Sequence, residues 1–145
     1  MKTIIYSAIP NNGVIKIPLL TECTCEIGLV SLSLPNINRA TYSDVHQEID
    51  VLCDQVDSTY LNSKRLLRRI CTEKTDKYYN SFEFKNILYF NLDSSDRKLT
   101  IRINDQFGPI QIPQNVLREA NPKSVTLVLH LRPIADQNDR WIKYI

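Results

Sequence analysis

Side-chain alternation with a period of two is the feature that most restricts what this chain can fold into. In Val125-Thr126-Leu127-Val128-Leu129-His130-Leu131 an aliphatic side chain stands at 125, 127, 129 and 131. Leu99-Thr100-Ile101-Arg102-Ile103 repeats the pattern, and so do Ile15, Ile17, Leu19 and Ile49, Val51, Cys53. A strand sends successive side chains to opposite faces, so each segment can cover a core with one face and meet water with the other. A helix would need its apolar positions three and four apart. The chain also holds 17 Ile and 8 Val against 4 Ala. β-Branched side chains fit a pleated surface, whereas Ala is the best helix former.

Turn chemistry divides the alternating segments into eight or nine short strands. Thr3–Ile9 and Val14–Leu19 flank Asn11-Asn12-Gly13 and read as a hairpin. Cys25–Leu34 follows, with Val30, Leu32 and Leu34 on one phase and Pro35 ending it. Ile49–Val56 places Ile49, Val51 and Cys53 inward and Asp50, Leu52 and Asp54 outward. Arg65–Ile70 is read as strand from its β neighbours, and Phe82–Leu92 as one strand with a bulge near Asn86. Gly108 is expected at a left-handed turn position after Asn104. Gln114–Asn121 has the one locally helical composition. With no βαβ rhythm and only three glycines to corner a barrel, two antiparallel sheets packed face to face are expected. The 145 residues suit one domain, residues 1–134, followed by an arm, residues 135–145.

Several function classes find no support in the residues. Lys and Arg number 18 against 16 Asp and Glu, too near balance to announce sequence-specific nucleic-acid binding. No apolar run approaches the roughly 20 residues of a membrane-spanning helix. Pro10, Asn11 and Asn12 interrupt the N-terminus too soon for a secretory core, so an intracellular product is expected. Cys23 and Cys25 form a C-x-C pair, but Cys53 and Cys71 stand alone, which is not zinc-knuckle spacing. His46 and His130 are isolated, and there is no phosphate loop, H-E-x-x-H or G-x-S-x-G. Asp50 and Asp54 share a strand face about 13 Å apart and read as a solvated face rather than a catalytic pair. Asp93-Ser94-Ser95-Asp96 lacks the spaced oxygen ligands of a calcium loop. No enzyme activity, metal or cofactor is expected.

What remains is surface. Lys64, Arg65, Arg68 and Arg69, extended by Lys74 and Lys77, form the strongest charge feature. It reads either as a partner-binding patch or as a cationic guard on a sheet edge. Asp50, Asp54 and Asp57 supply the opposite sign nearby. The arm has a polar spacer, Ala135–Asp139, and then Arg140-Trp141-Ile142-Lys143-Tyr144-Ile145, which carries the only Trp. An apolar end on a polar spacer docks on its own domain or on a neighbour.

One ordered set of segments is more specific than composition. It runs Ile49–Asp57 with Leu52-Cys53-Asp54, then Lys64–Ile70 with Leu66-Leu67-Arg68, then Lys98–Ile110 with Ile103-Asn104-Asp105 and Gly108, then Val125–Leu131. This order resembles the minor capsid (penton) proteins of Polinton/Maverick elements and adintovirus-like double-stranded DNA viruses, over about residues 48–132. The resemblance implies an all-β, single jelly-roll β-sandwich of about eight antiparallel strands, without a catalytic site. It implies a virion protein that forms a homopentamer at capsid vertices, with the major capsid protein as neighbour. Lys64, Arg65, Arg68, Arg69, Asp50, Asp54, Asp57 and the arm residues Trp141, Ile142, Tyr144 and Ile145 are then the expected assembly interface, with opposed basic and acidic flanks meeting between subunits. The alternative is a non-catalytic carbohydrate- or ligand-binding β-sandwich using Tyr78, Tyr79 and Phe82. A trimeric cytokine-like jelly roll and a small hydrolase fit less well, for want of a signal segment and of a motif.

Overall fold

A computed structural model describes residues 1–20, 23–35, 46–56, 65–73, 79–94, 97–110 and 124–134. Among them there is no helix, and ten strands make two antiparallel sheets: β1 Lys2–Ala8, β2 Val14–Pro18, β3 Cys23–Pro35, β4 His46–Cys53, β5 Leu66–Glu73, β6 Tyr79–Glu83, β7 Tyr89–Ser94, β8 Lys98–Asp105, β9 Gly108–Pro109 and β10 Val125–Arg132. The first sheet runs β1-β10-β3, and the far edge of β3 is shared by β7 along Cys23–Gly28 and β6 along Ser31–Pro35. The second runs β2-β8-β4-β5, with β9 folded back on the end of β8. The helical expectation for Gln114–Asn121 lies outside the described residues.

The two cleanest alternating segments occupy the middles of opposite sheets. β10 is bonded on both sides, by β1 and β3, and β8 by β2 and β4. Leu127, Leu129, Ile101 and Ile103 are all fully buried, as their phase requires. Ile15 and Ile17 of β2, Ile49, Val51 and Cys53 of β4 and Ile27, Leu29, Leu32 and Leu34 of β3 complete the same apolar layer. The two sheets are thus packed together as a β-sandwich.

Three local expectations need correction. The Asn11-Asn12-Gly13 turn forms, with reciprocal 3.0 Å hydrogen bonds between Asn11 and Val14, but it does not join a hairpin. β1 belongs to the first sheet and β2 to the second, so the turn carries the chain across the sandwich. Pro10 has no N–H to continue a ladder. Asn12 and Gly13 take positive φ, 53° and 76°. A Cβ on Gly13 would stand 2.8 Å from the Ile103 carbonyl oxygen and 2.9 Å from Pro109 Cβ.

Val30 is not in phase with Leu32 and Leu34. Ser31 faces Val128 while Leu29 faces Leu129, so Val30 is the extra residue of a β-bulge, and the inward phase changes there. The segment expected as one strand from Phe82 to Leu92 is two. Between Ser31↔Glu83 and Gly28↔Tyr89, β3 supplies two residues and its partner five, so after a last bond from the Phe84 N–H to the Val30 carbonyl oxygen at 3.1 Å the chain leaves the ladder over residues 85–88. Phe84 and Asn86 are both contacted by Arg68 of β5.

The chain also ties its sheets together after β4. Gln55 Oε1 accepts the Thr100 N–H at 2.8 Å, where β4 has run out and the ladder would otherwise leave that donor unmet. The Gln55 carbonyl accepts the Asp93 N–H at 3.1 Å, and Val56 makes an isolated bridge with Leu92 of β7. Truncating either central strand should be costly, because the cavity lies between two sheets that cannot close independently. Ile101→Ala and Leu127→Ala should each lower unfolding free energy by about 2–5 kcal/mol, read from the denaturant midpoint at unchanged slope. Val30→Ala should cost less than either.

Candidate assembly surface

β4, β5 and β8 lie side by side, with carboxylates on the outer face of the middle strand, β4, and at its end, and arginines on the strands to either side. Asp50 of β4 is the register partner of Arg69 of β5. Arg69 donates to both carboxylate oxygens, Nε to Oδ1 at 2.8 Å and Nη2 to Oδ2 at 3.0 Å. Arg102 of β8 grips Asp54 in the same two-bond manner, at 2.8 and 2.9 Å. Arg65 donates through Nη1 to the Asp54 carbonyl oxygen. Arg65 holds φ 53° at the entrance to β5, and its own carbonyl accepts the Cys53 N–H at 3.0 Å. Hydrogen bonding to the carboxylate, then its charge, raises both the Arg69 and the Arg102 guanidinium above the ordinary arginine value. Both arginines keep 48% of their side-chain surface open, so the row is exposed and fixed in register at once.

Within the chain the carboxylates already have partners: Asp50 is held by Arg69 and Asp54 by Arg102, while Arg65 bonds only the Asp54 backbone carbonyl. Arg68 does something else. Leu67 is the extra residue of a bulge opposite Val51 and Leu52, and it turns inward, 1% exposed. Arg68 then leans across the sandwich edge. Its guanidinium lies 4.4 Å from the centroid of the Phe84 ring, and Nη1 donates to the Asn86 carbonyl oxygen at 2.7 Å. It straps β5 to the excursion between β6 and β7. Asp57, Lys64 and the arm residues Trp141, Ile142, Tyr144 and Ile145 lie outside the described residues.

The sequence reading did not find a second polar cluster, on the outer face of the other sheet. Gly28 of β3 faces Tyr89 of β7, and a Cβ there would meet Ile87 Cγ2 at 2.6 Å and the Tyr89 ring at 3.0 Å. The Tyr89 ring therefore lies over bare backbone, its hydroxyl 3.1 Å from His130 Nδ1 and the Arg132 guanidinium 3.5 Å from its centroid. Arg132 Nη2 also reaches Glu26 Oε2 at 3.3 Å. Further along the face, Ser7 and Thr126 share a hydrogen bond at 2.8 Å, and Ser33 and Ser81 one at 3.0 Å. A ring covered by a guanidinium offers that face to no sugar. Phe82, one of the three aromatics of the carbohydrate alternative, packs against the core. Among the described residues no group of three His, Cys, Asp or Glu side chains is placed to hold a metal ion.

Cys25 and Cys53 are buried free thiols, and Cys71 is exposed on β5. Burial, with the Asp54 carboxylate adding to it, pushes the Cys53 thiol up to about 11. No family model, no curated protein and no solved structure matches this chain.

Two measurements follow from these contacts. Arg68→Ala should cost about 1–2 kcal/mol, having lost a hydrogen bond and a cation–π contact, while Arg69→Ala should move the denaturant midpoint less. Cys53 stays neutral in the folded chain while an unfolded thiol ionises near 9.0. Its burial therefore stabilises fully below pH 9, and that contribution is lost as pH rises towards 11. Cys53→Ser, which does not ionise there, should show a smaller fall in stability across that window, by about 2–3 kcal/mol.

Proposed function

We propose that this chain is a structural virion protein, a single jelly-roll penton subunit that assembles with copies of itself into a ring of five at a capsid vertex. The observation that carries the reading is strand order. Counting β6 and β7 as one interrupted strand and leaving aside the two-residue β9, the first sheet reads 1-8-3-6 and the second 2-7-4-5. That is the order produced by two interlocked Greek keys, the jelly-roll plan used by viral capsid domains among others.

The segments that carry the resemblance support the same reading, because each has a structural task. Cys53 fills the core at the end of β4, and Asp54 holds Arg102. Asp105 Oδ1 accepts the Phe107 N–H at 2.8 Å across the β8–β9 turn, which Gly108 completes at φ 125°. The Ile110 N–H donates to the Ile103 carbonyl oxygen at 3.1 Å. Work done by surfaces needs no perturbed catalytic group. The two ion pairs, Arg69 with Asp50 and Arg102 with Asp54, are held in two-bond geometry with their arginines half exposed, and are suited to setting register against a neighbour, the major capsid protein included.

In a ring each subunit offers one surface to the next and a different one to the previous. Light scattering of the purified chain should therefore give five times the mass of one chain. Arg69→Glu combined with Arg102→Glu should reduce it to a single chain with an unchanged dichroism spectrum. A monomer at all concentrations that binds a glycan would replace this reading with that of a carbohydrate-binding module, and a three-fold mass would replace the ring of five.

A further inference from the structure

Among the described residues, one end of the sandwich carries a groove that reaches the edge of the core. There the starts of β1 and β3 meet the ends of β2 and β10 around a groove of about 440 Å3. Its floor is Cys25 and Leu131, each 7% exposed, the least covered members of the buried core. Its walls include Leu19, which packs on the core edge, and the two most exposed large apolar side chains among the described residues, Leu20 at 86% and Met1 at 75%. Pro133 stands on the rim, and the described chain ends one residue later.

We infer that this groove is the docking site of the chain's own C-terminal segment, with Trp141 as the anchor. The arm begins where the groove is. Six residues lie between Ile134 and Trp141, a tether whose Cα-to-Cα steps span at most roughly 23–25 Å when extended and so can turn back onto a site beside its root. Such a short tether holds the anchor at an effective concentration of about millimolar, which favours the chain's own groove over that of a second copy. The polarity is also matched in sequence: Asp136 and Asp139 stand in the spacer, Lys2 is among the residues lining the groove, and the apolar Trp141, Ile142, Tyr144 and Ile145 follow. A Trp side chain removes about 150–250 Å2 from water when buried and has few rotamers to lose. Docking covers Leu20 and Met1 and closes the core over Cys25 and Leu131. This inference stands whether or not copies of the chain assemble.

Trp141 is the only Trp in the chain, so its fluorescence reports its surroundings without a label. The emission of the full chain should lie to the blue of the urea-unfolded chain and should not move on dilution. Leu20→Asp, at a position exposed enough to leave the fold intact, should shift it to the red. The chain lacking residues 136–145 should remain folded and bind a synthetic peptide of residues 135–145, and the Leu20→Asp form of it should not. Emission matching the unfolded chain, blue emission indifferent to Leu20→Asp, or a red shift on dilution that marks another copy's groove would each overturn the inference.

Discussion

β10 lies between β1 and β3, and β8 lies between β2 and β4, so the inward side chains of two late strands form the middle of both walls of the core. Neither wall exists without them. β1 is the first of the described strands and β10 the last, and their pairing encloses everything between. Such non-local pairing must meet the entropy of closing a long loop before any burial rewards it, which places this fold among the slower-folding topologies. The other features are fitted around this constraint. The Asn12-Gly13 turn carries the chain from one wall to the other. Gln55 supplies the acceptor that the end of β4 cannot. Arg68 straps the open edge between β5 and the excursion after β6.

The phase of β2, β4, β8 and β10 was legible in the sequence, because it depends on one residue's neighbours two positions away. Ile101, Ile103, Leu127 and Leu129 are buried for that reason alone. The partner of each strand was not legible in the same way. A turn signal such as Asn11-Asn12-Gly13 specifies that the chain reverses, not which sheet receives it, and here Pro10 and two better partners decide. Bulges escape for a related cause. Val30 and Leu67 change phase because the opposite strand has one residue fewer, a property of pairs that no single stretch displays.

The candidate surface divides in the same manner. The outward phase of Asp50 and Asp54 followed from alternation, whereas Arg65–Ile70 shows no period from which to read Arg65 or Arg69. That Asp50 pairs with Arg69 and Asp54 with Arg102, each in two-bond geometry, depends on the register between β4 and β5 and on a third strand. The cluster of Tyr89, His130, Arg132 and Glu26 over Gly28 draws on three strands from distant parts of the chain, so its members look unrelated in sequence. Charge on this protein is organised by the sheets rather than by runs of like residues. A neighbour meeting the face of β4, β5 and β8 meets alternating sign, which constrains orientation more than it adds affinity.

The central claim is the strand order, since the proposed double Greek key and the surface it presents both rest on it. Backbone nuclear Overhauser contacts in an isotope-labelled sample read that order directly. The account predicts cross-strand contacts between Ile5 and Val128, between Ile15 and Ile101, and between Val51 and Ile103. A ladder of contacts joining residues 2–8 directly to residues 14–18, with none from residues 2–8 to residues 125–131, would make β1 and β2 a hairpin in one sheet and contradict it.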